Sequence, residues 1–297
     1  MVKAQQDISE DRPPRLAALA AHPQPPKALN ALNAADTAEI GRRSAAANHR
    51  GASAGTSPGA DRIARSLSLL QEHLPLRRRL VHAGDLIFEA GVPFKQLYVL
   101  NSGSVKLVNT AADGRNQVVG LLLRGDWLGF VGIAIGRYGC SAQALEIGEI
   151  WSLRYDALMD AASTQPQLLQ VLHAEMSRAI SRGRDAMLSV CTLPVTARVA
   201  EFLRQSAASL AARGLRNDQI ILRMSRAEIG NYLGMTLESV SRAFSSLARA
   251  QVICFSERGR RMIQIPDLQA LSEFIQVEAQ AQAHVLPHVP APRATLQ

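Results

Sequence analysis

The segment Ser225–Ala250, SRAEIGNYLGMTLESVSRAFSSLARA, limits the possible folds of this chain more than any other part. Its first residue is followed three positions later by Glu228, which is the pattern of a capping box at a helix start. Gly234 suits the left-handed residue that ends a helix, and Thr236 suits the cap of a second one. The segment therefore predicts two helices that are joined by a tight turn.

The second helix has two chemically different sides. Val240, Phe244 and Leu247 recur at the helical period and predict a packed side. Arginine pairs with guanine through two hydrogen bonds, and a carboxylate accepts from cytosine N4. The pattern predicts a DNA-recognition helix, and the alternative is an ordinary amphipathic pair with solvated outer charges. The side chains predicted to read base edges are Glu238, Ser241 and Arg242.

A β-hairpin wing is predicted after the second helix, because two apolar runs, 252–255 and 262–265, flank a polar turn that contains Gly259. The formal charge of the chain is +8, and the stretch 213–261 contains nine arginines against four acidic residues. This excess favours double-stranded DNA as the partner, through its phosphates. The residues predicted to contact the DNA backbone are Arg226, Thr236, Arg258, Arg260 and Arg261.

Residues 1–61 are rich in Ala, Pro, Gly and Ser, and prolines interrupt any periodicity. Such a segment buries too little apolar surface to offset its ordering entropy, so a disordered tail is predicted. A transit peptide is the alternative, which the acidic residues of this segment disfavour. No apolar run approaches a membrane span and no secretory signal is evident, so a cytoplasmic protein with no membrane partner is expected.

Residues 62–164 are predicted to form a small all-β domain. After a short helix over 62–73, apolar stretches alternate with glycine-containing turns at the spacing of a β-roll with about eight strands. A metal-dependent barrel enzyme is not expected, because the two histidines of this region, His73 and His82, cannot build a ligand triad. No catalytic or metal-ligating residue is predicted.

Residues 165–193 are predicted to form one long helix with an apolar stripe. The stripe is interpreted as a homodimer seam, and packing on the chain's own β-roll is the alternative. Residues 194–277 are predicted to form the DNA-binding domain, closed by a helix over 267–276, and residues 278–297 a second disordered tail. The seam residues are Leu169, Leu172, Met176, Ile180, Gly183, Met187 and Val190.

The three cysteines, Cys140, Cys191 and Cys254, are widely spaced and odd in number, which predicts neither a metal knuckle nor a disulfide framework. Cys254 begins the predicted wing near several arginines, which favour the thiolate that oxidants attack. It is therefore a candidate redox site. In the alternative, its side chain points into the hairpin core with its apolar neighbours.

A β-roll, a long helix and a winged helix-turn-helix, in that order, make an α+β chain that resembles the Crp/Fnr superfamily of bacterial transcription regulators. The resemblance implies a homodimer whose Glu-x-x-Ser-Arg triplet, here Glu238, Ser241 and Arg242, reads TTGAT-like half-sites of a palindrome. It also implies RNA polymerase as a partner. The motifs most similar to the fumarate-nitrate-reduction (Fnr-like) branch are 125–130 (GDWLGF), 142–146 (AQALE), 228–234 (EIGNYLG) and 237–242 (LESVSR).

The effector chemistry of that superfamily does not match. Its oxygen-sensing members hold an iron–sulfur cluster with cysteines before the β-roll, whereas residues 1–139 contain no cysteine. Members that bind cyclic nucleotides use Gly-Glu and Arg-Ser pairs, whose counterparts here are Gly129-Phe130 and Cys140-Ser141.

No iron–sulfur cluster, no cyclic AMP and no other cofactor are therefore expected. One alternative is a haem- or other ligand-gated sensor of the same fold, for which one axial histidine would suffice, although His173 is interpreted as a surface residue. The other alternative is a ligand-binding or scaffold protein that does not bind DNA.

Overall fold

The computed structural model describes residues 57–256 and 259–285 of the chain. Residues 1–56 and 286–297 of the tails predicted over 1–61 and 278–297 lie outside the described residues. The predicted contact of Arg258 and the side chain of Arg260 lie outside them too.

The first element is helix α1 (Pro58–His73). The Ser57 side chain caps it by accepting a hydrogen bond from the Ala60 backbone N–H at 3.2 Å, and Pro58 stands at its first position. This cap starts the helix earlier than the predicted position 62. Residues 58–61 are therefore helical, and the predicted disordered tail over 1–61 is wrong for them.

Eight strands follow within residues 74–154, all of which the structure describes. They form two four-stranded antiparallel sheets, in the orders β1-β8-β3-β6 and β2-β7-β4-β5. The predicted β-roll is confirmed. The elements are β1 (Arg77–Val81), β2 (Leu86–Phe88), β3 (Gln96–Ser102), β4 (Ser104–Thr110), β5 (Asn116–Leu123), β6 (Trp127–Leu128), the short helix α2 (Val131–Ile135), β7 (Ser141–Ala144) and β8 (Gly148–Arg154).

Aromatic rings pack in the interior of the roll. The ring centroid of Phe88 lies 4.3 Å from that of Tyr138 and 5.2 Å from that of Tyr98. The Tyr138 hydroxyl donates to the Gln96 carbonyl oxygen at 2.8 Å, and burial raises the pKa of Tyr138, so the hydroxyl stays a neutral donor.

Helix α3 (Tyr155–Thr164) leads into the predicted long helix, α4 (Gln167–Thr192). Leu172 is 3% exposed, because it packs with α1 and the roll, and Leu169 and Met176 pack partly against the same cluster. The predicted seam therefore needs a correction at Leu172, which its own chain already covers. At the N-terminal end of α4, the apolar side packs on the chain's own roll, as the alternative interpretation predicts.

The C-terminal half of α4 has a different environment. Ile180, Met187 and Leu188 are 54%, 70% and 62% exposed, although Leu188 does not belong to the predicted seam. Val190, which does, lies beside the helix-turn-helix, where a Cβ on Gly234 would be 3.5 Å from its Cγ1. The exposed apolar side is thus rotated around the helix axis relative to the predicted stripe, and the dimer itself stays a prediction.

The remaining elements form a winged helix-turn-helix module, as predicted. Leu203, Ile229 and Phe244 are among its fully buried side chains. Its three strands make one antiparallel sheet in the order β10-β11-β9. The elements are α5 (Val195–Ala211), β9 (Gln219–Ile221), α6 (Arg226–Leu233), α7 (Leu237–Arg249), β10 (Cys254–Ser256), β11 (Gly259–Gln264) and α8 (Leu268–Val285).

Helix α8 is longer than the predicted helix over 267–276. Its buried residues Leu271 and Ile275 belong to the core of the module, and the sequence that follows, VEAQAQAHV, consists largely of good helix formers. The predicted disordered tail over 278–297 is therefore wrong for residues 278–285. Among the described helices, none is long and apolar enough to cross a membrane.

Candidate nucleic-acid interface

Both ends of α6 are fixed by local chemistry. The Ser225 side chain accepts from the Glu228 backbone N–H at 3.2 Å, and the Glu228 carboxylate accepts from the Ser225 N–H at 2.7 Å, so the predicted capping box is present. Gly234 ends α6 at φ 66°. A Cβ on Gly230 would lie 2.7 Å from the Met235 carbonyl oxygen, so only glycine allows this close approach of α6 to the turn.

Helix α7 presents the three predicted base-reading side chains to solvent. Its opposite side is buried, with Val240 and Phe244 0% and 1% exposed. Glu238 and Arg242 side chains are 78% and 82% exposed, and Arg242 Nη2 lies 3.2 Å from Glu238 Oε2. Ser241 is exposed between them. One side of one helix thus offers a cation with several donors, a carboxylate and a hydroxyl, which are groups that can hydrogen-bond to base edges.

The predicted phosphate-contacting residues have different environments. Thr236 Oγ1 caps α7 by accepting from the Ser239 N–H at 3.2 Å, and Thr236 remains exposed. Arg261 is exposed on β11. Arg226 instead places its guanidinium over the ring of Phe244, with Cζ 3.3 Å from the ring centroid.

Sequence reasoning missed a contact between the helix-turn-helix and the β-roll of the same chain. The Asn231 side chain of α6 accepts from the Val118 backbone N–H, and its Nδ2 donates to the Asn116 carbonyl oxygen at 2.8 Å. Gln117 Nε2 donates to the Asn231 carbonyl oxygen. Since β5 is an edge strand of its sheet, Asn231 bonds backbone groups that have no neighbouring strand on that side.

Ion pairs extend this contact. Lys106 Nζ lies 2.5 Å from Glu228 Oε1, and Arg223 Nη1 lies 2.9 Å from Glu146 Oε2. Burial acts to raise the pKa of Glu228, but hydrogen bonds from Lys106 and Ser225 outweigh it and lower the pKa overall. Glu228 therefore caps α6 and also pairs with the roll.

A buried carboxylate joins the roll to two further elements. Asp126 is 5% exposed, and its oxygens lie 2.8 Å from Arg213 Nη2 after α5 and 3.2 Å from Arg182 Nη1 on α4. Polar residues within the family motifs were the available signal for these contacts, because Asp126, Glu146, Glu228 and Asn231 all belong to them.

The cysteines do not come together as a ligand set. Cys191 and Cys254 are exposed, and burial raises the pKa of the half-buried Cys140. The alternative in which Cys254 points into the hairpin core is wrong, because its neighbour Ile253 is the buried residue. Within the described residues, no group of three or more His, Cys, Asp or Glu side chains is arranged to hold a metal ion.

Comparison with known protein families finds two matches that together span the roll and the C-terminal module. Residues 78–165 match the model of a cyclic nucleotide-binding domain, and residues 197–274 match a Crp-like helix-turn-helix domain.

Curated relatives cover both parts. The chain is 36% identical over 201 residues to the transcriptional regulatory protein Btr of Bordetella pertussis, an alignment that covers 67% of this chain and 83% of the relative. It is 31% identical to the fumarate and nitrate reduction regulatory protein of Yersinia pestis, with coverages of 66% and 78%. Among solved structures, FixK2 from Bradyrhizobium japonicum has a TM-score of 0.60 at 28% identity and covers 67% of this chain and 97% of its own.

Proposed function

This chain belongs to the Crp/Fnr family of DNA-binding transcription regulators, and on that premise we propose that it acts as a homodimer that reads a TTGAT-like palindrome. The observation that carries the proposal is the reading side of α7, where Glu238, Ser241 and Arg242 are exposed together while the opposite side is buried. A regulator of this kind acts at promoters, so RNA polymerase is its proposed protein partner.

The test compares two DNA duplexes of equal length and composition. One contains two TTGAT half-sites in palindromic order, and the other contains the same bases shuffled. Fluorescence anisotropy of the purified wild type should give tighter binding to the palindrome by at least about a thousand-fold, the lower end for specific over non-specific binding. Equal affinity for the two duplexes would contradict the proposed site.

The exposed apolar side of α4 supports the proposed dimer. Ile180, Met187 and Leu188 face solvent, and a Cβ on Gly183 would meet nothing within 4 Å, so a second helix can approach closely there. Exposed apolar surface of this kind is unfavourable until a partner covers it. A two-fold axis along α4 would bring two reading helices to two half-sites.

We further propose that neither an iron–sulfur cluster nor cyclic AMP controls this protein. The 297 residues of the chain hold three cysteines, whereas a cluster takes four thiolates. At the two positions implied for cyclic nucleotide binding, the Phe130 ring stacks with that of Trp127 and the Ser141 hydroxyl accepts from the Ala90 N–H at 3.0 Å. A visible absorbance spectrum and calorimetric titration with cyclic AMP test both statements on aerobically purified protein.

A redox-responsive regulator is the second candidate, and the exposure of Cys254 on β10 favours it. Peroxide converts an exposed thiolate to a sulfenate and is itself reduced to water. The added bulk would lie at the base of the wing, where DNA phosphates approach.

A further inference from the structure

The guanidinium of Arg226 occupies an unusual position for a residue at the first turn of α6. Its Cζ lies 3.3 Å from the ring centroid of Phe244 on α7 and 6.0 Å from that of Phe255 on β10. The two rings are themselves 6.4 Å apart at an interplanar angle of 43°. Arg226 therefore contacts both the reading helix and the wing.

This placement differs from that of a free phosphate-contacting arginine. Phe244 is 1% exposed, and the terminal nitrogen Nη1 of Arg226 is buried from solvent. Arg226 is half-buried, and a partly desolvated guanidinium on an aromatic face is stabilised more than an exposed one, because water competes less for its charge. The side chain is oriented into the module rather than away from it.

The position of the stack within the helix pair gives it a consequence for DNA reading. The turn at Gly230, Met235 and Gly234 holds one end of α6 against the start of α7. Arg226 stands at the other end of α6 and contacts the second half of α7. Buried side chains such as Ile229 and Val240 pack between the two helices, and the Arg226 stack adds a contact far from the turn, where it resists a change in the crossing angle.

We propose that Arg226 is a positioning residue: it acts through Phe244 to hold α7 at the angle at which Glu238, Ser241 and Arg242 reach base edges, and not through a DNA phosphate. The proposal rests on the proposed reading of DNA by α7. It assigns Arg226 to specificity, because a loosely held reading helix must be ordered at the cost of specific affinity, whereas non-specific binding needs charge alone.

Two substitutions at Arg226 distinguish positioning from phosphate contact. Arg226→Lys keeps the charge but loses the planar stack, and Arg226→Met keeps an unbranched apolar stem but loses the charge. The proposal predicts that both variants lose about 5- to 30-fold in affinity for the palindrome and less than about two-fold for the shuffled duplex, with the salt dependence unchanged. Affinities are measured by anisotropy across a salt series.

The opposite pattern would overturn the proposal. If Arg226 contacts a phosphate, Arg226→Lys retains affinity for both duplexes, while Arg226→Met weakens both alike and reduces the salt slope by about one. Arg261→Met on the wing is the matched control, because that exposed arginine is a proposed phosphate contact and should give this second pattern.

A second experiment needs no DNA and separates failure of this proposal from failure of the proposed function. The free energy of urea unfolding is measured for Arg226→Met, Phe244→Leu and the double variant. A double variant less destabilised than the sum of the single ones supports the stack, and strict additivity overturns it. This result holds even if the wild type shows no preference for the palindrome.

Discussion

Helices α4 and α7 differ in what covers their apolar side chains. In α7, Val240 and Phe244 are buried within their own module, and the polar side faces solvent. In α4, Leu172 is buried by the chain's own roll, whereas Ile180 and Met187 are more than half exposed. The apolar side of α7 is thus covered within one chain, whereas part of the apolar side of α4 is left exposed, and we propose that a second molecule covers it.

Truncating one apolar side chain in each helix, buried in α7 and exposed in α4, sharpens this comparison and gives the largest expected effect. Phe244→Ala should lower the free energy of unfolding by about 3–5 kcal/mol at every protein concentration, since it leaves a cavity in a closed core. Ile180→Ala should cost less, and its cost should depend on protein concentration, since it removes contacts between molecules. The free energy of urea unfolding, measured at two protein concentrations, checks both variants. A concentration-independent cost for Ile180→Ala would contradict the comparison.

A charge on the exposed side of α4 should break the dimer. Ile180→Asp places two carboxylates face to face across the proposed seam, where each loses solvation. We expect monomers by light scattering and a loss of affinity for the palindrome. Leu80→Asp is the matched control, because Leu80 is 62% exposed on β1 and should leave the dimer intact. Wild-type monomers at micromolar concentration would exclude a dimer formed without ligand.

Truncation on the polar side of α7 tests the other half of the comparison. Arg242→Ala should cost about 1–3 kcal/mol on the palindrome and relax the preference at one guanine, because it removes a bidentate contact. Arg249→Ala, an exposed arginine in the last turn of the same helix, should leave base preference unchanged. An unaltered sequence preference in Arg242→Ala would show that α7 does not read bases.

The wing should contribute less to DNA affinity than Arg242, and its contribution should not depend on the DNA sequence. Arg261→Ala is expected to weaken binding to all sequences about equally and to reduce the salt slope by about one, as loss of a phosphate contact does. Titrating the variant onto the palindrome and the shuffled duplex at several salt concentrations measures both the affinities and the salt slope. A loss confined to the palindrome would assign Arg261 to base reading instead.

Oxidation of Cys254 should give the smallest effect. Peroxide treatment of the wild type should lower affinity for the palindrome, because oxidation adds bulk or negative charge beside the surface that faces phosphates, and Cys254→Ser should resist this loss. Anisotropy titrations before and after treatment compare the two proteins. Equal loss in both, or none in either, would remove Cys254 as a redox switch.

The sequence was sufficient for the helix pair α6 and α7, because both N-terminal caps, the Gly234 stop of α6 and both sides of α7 lie within one short segment. It was insufficient for α4, where Leu172 and Ile180 obey the same helical period but are covered differently. A period identifies an apolar side without identifying what packs on it. The same limit applies to Arg226, whose stack on Phe244 depends on how two helices cross.

The hydrogen bonds of Asn231 to strand β5 would have to break if the helix-turn-helix separated from the roll. If α6 turned away from the roll, the N–H of Val118 and the C=O of Asn116 would lose their partner, and the edge of the sheet would become open to pairing with another chain. One amide side chain therefore takes part both in orienting the helix-turn-helix on the roll, together with the ion pairs of Lys106 and Arg223, and in protecting this strand edge against aggregation.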